Sequence, residues 1–461
     1  MSKLKKIGLL QLIVLTLSAI ISVKSLPLFA EIGLSLIFFL TIAMIFFFIP
    51  ISMAIAELSS TWPSEGGCYL WIKKAYGENC AFIVMWAYWM ESIIWFPTML
   101  TFILAMLAYT ISPIISNLET NPTFFICGII IIFWILTYIN FHGMQVSATF
   151  NTIGVICGTI LPISLIIIFG ITWVFKHENL SIIIKSSQLI PSFNKDNIVF
   201  FAGILLGISG IELIAFHTNS ITNPKKNIPK AVLISSALIF FIYLAGSISI
   251  AIVVPKTEIC LASGIIQALK IFFIKNNITI IIPLLSFLLL LGSLSSMNAW
   301  IIGPVKGIFI TSEDGFLPKY LSKVNNKNIP INLLIIQAVI GSLLSITFFT
   351  FIDNLNGLIW IFICLSFQFS SLLYIMIFLS VIKLRLKYPN IYRPYKIPYI
   401  YILTSLGISI SIFTFLTAYI QPTSITITNS NVYIILLLTS FILLLSPAYI
   451  FIYLKNKKKL L

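Results

Sequence analysis

The chain has 461 residues, of which 59% are hydrophobic and only 9% are charged, and its mean hydropathy is +1.08. A soluble protein of this length exposes a much more charged surface, so the composition excludes a soluble globular fold. The formal net charge of +15 does not indicate nucleic-acid binding, because most basic residues lie in alternate loops between apolar segments.

Apolar stretches of about twenty residues recur along the whole chain, and short polar segments separate them. A helix of that length crosses the roughly 30 Å hydrocarbon core of a bilayer. We therefore predict an all-α integral membrane protein of about twelve transmembrane helices, forming a single polytopic domain over residues 1–461. The predicted spans are 7–29, 33–56, 80–111, 123–141, 150–175, 198–219, 231–254, 278–310, 331–351, 357–382, 399–420 and 432–454.

The basic residues predict the orientation of these spans. Of the 28 lysines and arginines, 21 lie on the side of the two termini, six lie on the other side, and Lys24 lies inside the first span. The side rich in lysine and arginine faces the cytoplasm, so we predict an inner-membrane protein with both termini cytoplasmic. On the opposite side, the connections 176–197 and 256–276 are each expected to contain a short interfacial helix.

Lys24 is the only basic residue deep inside a predicted span. It lies beside Ser22, Ser25 and Pro27, and proline removes a backbone hydrogen bond and disfavours helix in the preceding residue. We therefore predict an interruption of the first helix. In many transporters such interruptions bind substrate, because freed N–H groups face a carboxylate and freed carbonyls face a cation. The alternative is that Lys24 extends outward to the membrane surface.

Glu212 marks a second predicted interruption, in the sixth span, where it follows Gly207, Ser209 and Gly210. Paired interruptions in the first and sixth spans, the corresponding members of two five-helix halves, indicate a binding site. Close helix packing would explain the glycines but not the acid. Glu91, in the third span, is interpreted either as a proton site or as a structural partner of Lys24.

The sequence contains no pattern that is typical of an enzyme. It lacks a His/Asp/Glu cluster, a nucleophile elbow and a GxxxxGK[ST] phosphate loop, and its six cysteines have no metal-ligand spacing. We expect no catalysis, no metal and no cofactor, and transport that is driven by gradients and not by ATP. A channel is a weaker alternative, because channels usually line a continuous pore with rings of polar groups.

Four loop motifs resemble those of amino acid–polyamine–organocation permeases and occur in the same order. They follow the second, sixth, eighth and tenth spans, at Glu65–Trp71, Asn223–Pro229, Gly303–Pro318 and Arg393–Pro398. Within that superfamily the chain is most similar to bacterial glutamate/GABA antiporters, in the regions 27–35, 210–212 and 291–304.

The resemblance implies a five-plus-five inverted repeat with two peripheral helices. The first repeat would cover about 7–175, the second about 198–382, and the peripheral helices about 399–454. The resemblance also implies alternating access and amino-acid exchange. By position, residues 21–23 match the unwound part of the first helix, where the family binds the substrate carboxylate. Glu212 matches the gate-side acid of the sixth helix.

Two positions differ from those antiporters. Ser296 stands where they have an acid in the eighth span, and Lys24 stands where they have a tyrosine in the first. Both differences make the cavity more positive, which favours an anionic or zwitterionic amino acid over a cationic one.

Taken together, the sequence predicts a secondary active amino acid transporter that works as an exchanger. The alternatives are a proton-coupled symporter and an amino acid sensor on a transporter scaffold. The expected partners are an amino acid, the lipid bilayer and, as a candidate coupling ion, the proton, with no nucleic acid; the chain would be a monomer or homodimer. The predicted residues are Ile21, Ser22, Val23, Lys24, Ser209, Gly210 and Ile211 for substrate binding, Glu212 and Glu91 for gating or proton coupling, and Ser296 for selectivity.

Overall fold

The structure is a computed structural model of the chain. It describes residues 8–64, 66–115, 118, 121–142, 154–176, 179–182, 189, 191, 195–213, 221–275, 278–351, 355–422 and 430–459.

The described residues form helices and no strand, which confirms the predicted all-α class. We number the α-helices in chain order. They are α1 Leu9–Ile20, α2 Ser25–Ala30, α3 Leu36–Ala43, α4 Ile49–Thr61, α5 Gly67–Tyr76, α6 Glu78–Ile111, α7 Pro122–Phe141, α8 Leu161–Phe175, α9 Lys195–Gly207, α10 Pro224–Ala251, α11 Gly264–Lys275, α12 Ile282–Ile310, α13 Ile331–Phe351, α14 Leu355–Lys387, α15 Ile400–Thr417 and α16 Ser430–Lys459.

Nine helices within the described ranges are long and apolar enough to cross a membrane. Two shorter apolar helices, Asn197–Leu213 and Ile331–Thr347, and the interrupted first helix correspond to the other three predicted spans. The boundaries agree closely in the core: the span predicted at 80–111 is the helix Glu78–Ile111. The boundaries of the two repeats stay a prediction.

Both predicted interruptions are present. α1 ends at Ile20, Ile21 is extended with φ −71° and ψ 110°, and the chain turns into α2 at Ser25. α9 ends at Gly207, and Gly210 follows with φ +120°, a conformation that side chains rarely adopt. A Cβ atom at Gly210 would also lie 3.1 Å from the carbonyl oxygen of Ala19, so the two interruptions approach each other here.

The long helix α6 lies in the centre of the bundle and packs along α12 and α14. A second close contact joins the fifth and eighth predicted spans, where the backbone of Gly158 meets that of Gly292 so closely that neither has room for a Cβ atom. Small residues allow such backbone contact between membrane helices. The peripheral helices α15 and α16 pack on this core from outside, through α14 and α6.

The connections differ in part from the predictions. Segment 256–276 contains the expected helix, α11. Most of 176–197 lies outside the described residues. The span predicted at 231–254 starts earlier, because residues 224–229 of the loop motif form the first turns of α10. Pro224 fits there, since the first helical position needs no N–H donor.

Residues of the motifs after the second, eighth and tenth spans contribute to two groups of charges. In the first, which we call the Glu57 cluster, the carboxylate of Glu57 accepts hydrogen bonds from the guanidinium of Arg385 and from the N–H of Ile397, and the Nε atom of Arg393 lies 3.4 Å away. In the second, the Asp314 cluster, Asp314 pairs with Lys73 and Tyr69. These contacts join the ends of α4, α5, α12 and α14.

Candidate functional site

A cavity with both polar and apolar lining residues lies between the two interrupted helices and α6. Its volume is about 50 Å³, which leaves room for a few water molecules. Of the predicted site residues, it brings together Ile21, Ser22, Lys24, Glu91, Ser209, Glu212 and Ser296. Val23, Gly210 and Ile211 do not line it: their side chains or backbone are buried beside it.

The first interruption carries hydrogen-bond donors in and beside this cavity. The N–H of Ser22 donates to the hydroxyl of Tyr243 at 3.0 Å. The N–H groups of Val23 and Lys24 have no acceptor among the residues that the structure describes, and the buried hydroxyl of Ser22 has no partner there either. These three donors make the start of α2 suited to an anionic group.

The second interruption presents acceptors. The carbonyl oxygens of Ile208 and Ser209 receive no hydrogen bond from any described residue, whereas the Ser209 hydroxyl is bonded to the carbonyl of Leu205 at 2.7 Å. Free carbonyls at a broken helix are suited to an ammonium group or another cation. The cavity thus has donors on one side and acceptors on the other.

Glu212 is buried at the end of this second interruption. Its Oε2 atom accepts hydrogen bonds from the N–H of Gly210 at 3.2 Å and from the hydroxyl of Tyr374 at 3.1 Å. The second contact connects the interrupted sixth helix to α14. In the described ranges no lysine or arginine forms an ion pair with this carboxylate.

Lys24 points into the cavity and not toward the membrane surface. Its ammonium group donates to the hydroxyl of Thr98 and lies 5.0 Å from the centre of the Trp95 ring, a cation–π contact. Glu91, Trp95 and Thr98 follow one face of α6 at helical spacing. No carboxylate of the described residues lies within 4.0 Å of this ammonium group, so Glu91 and Lys24 line the same cavity without an ion pair.

Sequence reasoning missed four aromatic residues of the site. Trp95, Trp300 and Tyr374 line the cavity, and Tyr243 stands behind the first interruption. The rings of Trp95 and Trp300 contact each other at 5.7 Å. A tyrosine in the middle of an apolar span was the available signal, because tyrosine in membrane helices otherwise concentrates near the interfaces.

The ionisable groups of the site do not resemble a metal centre. In the described parts of the chain, no group of three or more His, Cys, Asp or Glu side chains could hold a metal ion. The arrangement suits a small molecule that carries both an anionic and a cationic group.

The family model of amino acid permeases matches residues 7–442. An uncharacterized transporter of Legionella pneumophila is 34% identical, over 97% of this chain and 96% of its own length. A glutamate/gamma-aminobutyrate antiporter of Lactococcus lactis subsp. lactis is 29% identical, over 95% and 88%. An arginine/ornithine antiporter of Latilactobacillus sakei is 24% identical, over 72% and 70%. The resemblance found in the four motifs is confirmed: this chain is a membrane transporter of the amino acid permease family.

Proposed function

We propose that this transporter exchanges amino acids across the bacterial inner membrane by alternating access. The cavity between the two interrupted helices is the observation that carries the proposal. In and beside it lie donors on one side and acceptors on the other that have no partner among the described residues. An amino acid carries a carboxylate and an ammonium group on one carbon and can satisfy both sides together.

In this proposal the substrate carboxylate binds the N–H groups of Val23 and Lys24 and the hydroxyl of Ser22. The α-ammonium binds the carbonyls of Ile208 and Ser209. Gly210 and Ile211 act through the backbone. The positive φ of Gly210 ends the helical conformation, so these carbonyls do not accept the hydrogen bonds that a continuing helix would make.

Lys24 selects the substrate side chain. Its ammonium group has a hydroxyl and an aromatic ring as neighbours and no paired carboxylate among the described residues, so an acidic side chain would supply the missing negative charge. Ser296 lines the same cavity and adds no charge to it. The antiporters of Lactococcus named for glutamate and gamma-aminobutyrate support the same substrate class.

Lys24→Ala tests this selectivity. We expect unlabelled glutamate to compete at least about tenfold less well in the variant, the effect of losing roughly 1.4 kcal/mol of binding energy. Glutamine, which has the same shape without the charge, is the matched competitor and should lose little. Unchanged competition by glutamate would contradict the role of Lys24.

Glu212 couples the opening of the gate to its own protonation or contacts. Through Tyr374 it connects the sixth helix to α14, so a change in its protonation or in its contacts would alter how these helices pack. Glu91 is a second acid on the same cavity. These two buried acids, with no basic partner in the described ranges, favour proton-coupled symport as the second candidate function.

The orientation in this proposal follows from the distribution of lysine and arginine, which places both termini in the cytoplasm. The proposed working unit is a monomer or homodimer. The inverted repeats would cover 7–175 and 198–382, which pairs the two interruptions by pseudo-symmetry.

The test is flux in proteoliposomes loaded with glutamate, GABA, glutamine or buffer, with labelled glutamate outside at several pH values. Uptake that requires an internal amino acid supports exchange, and the most effective internal amino acid identifies the counter-substrate. Uptake into empty vesicles that an inward proton gradient drives would overturn exchange in favour of symport. Saturable binding without flux under either condition would indicate a sensor.

A further inference from the structure

We infer that Tyr243 is a positioning residue of the substrate site, because its hydroxyl couples the two interrupted helices. The coupling itself stands on the geometry, whereas its effect on the substrate rests on the proposed function. Tyr243 belongs to α10 and does not line the cavity.

The hydroxyl of Tyr243 contacts three backbone groups. It accepts the hydrogen bond of the Ser22 N–H at 3.0 Å. Its oxygen lies 2.7 Å from the carbonyl oxygen of Ile20 and 2.9 Å from that of Gly207, and its single proton can be donated to either. Tyr243 is fully buried, so water does not compete for these contacts.

These three groups are among those that the interruptions set free. Ile20 is the last residue of α1 and Gly207 the last of α9, and a carbonyl at the end of a helix has no intrahelical donor. Ser22 lies in the extended segment after α1. One hydroxyl therefore accepts from the segment after α1, donates its proton to the end of one or the other broken helix, and holds both helix ends within hydrogen-bond distance of the same atom.

The position of this contact sets the geometry of the cavity. The N–H groups of Val23 and Lys24, which have no acceptor in the described part of the chain, follow Ser22 directly. The carbonyls of Ile208 and Ser209, which have no donor there, follow Gly207 directly. Holding Ser22 and Gly207 together thus fixes the distance between the anion side and the cation side of the site. Preorganisation of that kind raises affinity by lowering the ordering cost of binding.

The aromatic ring is fixed independently of the hydroxyl. It packs edge-on against the ring of Phe29 on α2, with centroids 4.9 Å apart. Tyr243→Phe therefore keeps the packing and removes the three polar contacts. Tyr433→Phe is a matched control, because Tyr433 is also fully buried and its hydroxyl donates to one helix-end carbonyl, that of Ala418 at 2.8 Å, away from the cavity.

The first measurement is hydrogen–deuterium exchange of the full chain in detergent or nanodiscs. We expect Tyr243→Phe to accelerate exchange in peptides covering residues 20–25 and 207–213, and Tyr433→Phe to leave both segments unchanged. No acceleration in either segment, or the same acceleration in both variants, would overturn the coupling whatever the protein transports.

The second measurement is amino-acid flux by the same variants in proteoliposomes. We expect Tyr243→Phe to raise KM about tenfold, the effect of a few lost hydrogen bonds on positioning, with Vmax changed less than about twofold. A fall in Vmax at constant KM, or equal losses in Tyr433→Phe, would show a merely structural tyrosine. If the unmodified protein has no flux, the proposed function is wrong. The hydrogen–deuterium exchange measurement still decides whether Tyr243 couples the two helices.

Discussion

Glu57 and Glu212 are both buried to 1% exposure, yet their surroundings are opposite. Glu57 is surrounded by Arg385, Arg393 and a backbone N–H, so its charge is fully compensated. Glu212 has a tyrosine hydroxyl and a backbone N–H, and no cation pairs with it in the described part of the chain. Burial of an acid alone does not mark a functional site; the charges of its neighbours distinguish a structural acid from a functional one.

The cations repeat this difference. Arg393 donates to the carbonyls of Leu384 and Tyr388 and lies beside Glu57. Lys24 has a hydroxyl and the face of an indole. The charges of the Glu57 cluster are paired within the protein, whereas the charged groups of the cavity form no ion pair among the described residues and are available to a ligand. Substitutions in the two regions should therefore have opposite consequences for stability and transport.

The largest loss of stability is expected for Glu57→Gln. The neutral amide leaves Arg385 and the buried Arg393 without a counter-charge, and breaking a buried ion pair in this way costs about 3–5 kcal/mol. Thermal unfolding in detergent, followed by size-exclusion fluorescence, measures the effect. Glu313→Gln removes an exposed acid near the same end of the molecule and is the control. Equal melting temperatures for the two variants would contradict the structural role of the cluster.

Glu212→Gln is expected to reverse that pattern. The amide oxygen can still accept from Tyr374 and Gly210, so the melting temperature should stay near that of the unmodified protein. Exchange should fall by about tenfold or more, equivalent to at least ~1.4 kcal/mol in a rate, because the amide cannot change its charge. Flux and melting are measured on the same preparation, and a variant that melts early but transports normally would make Glu212 the structural acid.

The sequence was sufficient for the local features of the site. Glycine and proline weaken a helix through local effects, so Gly210 and Pro27 allowed both interruptions to be predicted before their partners were known. Pro27 itself lies within α2, just after the break. Partners across the fold could not be predicted, because Tyr243 lies 221 positions from Ser22 and Arg385 lies 328 from Glu57. In the sequence Glu57 is one more acid at the end of the predicted span 33–56, and nothing local indicates that two arginines meet it.

Lys24→Met tests whether the charge of Lys24 contributes to the stability of the folded protein. Methionine has a similar length and keeps the contact with Trp95. Lys24 is half-buried and has no counter-charge among the described residues, and replacing such a charge by an apolar group is neutral or stabilising. We expect the melting temperature to be unchanged or higher, within about 1 kcal/mol, while glutamate transport falls. Arg385→Met is the matched variant in the Glu57 cluster and should melt earlier. If Lys24→Met is the less stable of the two, the contrast between the regions is wrong.

Asp314→Asn should have the smallest effect, because its cluster is partly exposed: the side chain of Lys73 is 31% accessible. Such pairs contribute about 0.2–1 kcal/mol. Partial burial lowers the pKa of Lys73, but the hydrogen bond and charge of Asp314 outweigh it, so the pKa lies above its ordinary 10.5. The stabilisation that accompanies a raised folded-state pKa is fully present below 10.5 and is lost only as the pH rises further. The deficit of Asp314→Asn in thermal melts should therefore be the same at all pH values between about 7 and 9, and a deficit that vanished within that range would assign the stabilisation to a group other than Lys73.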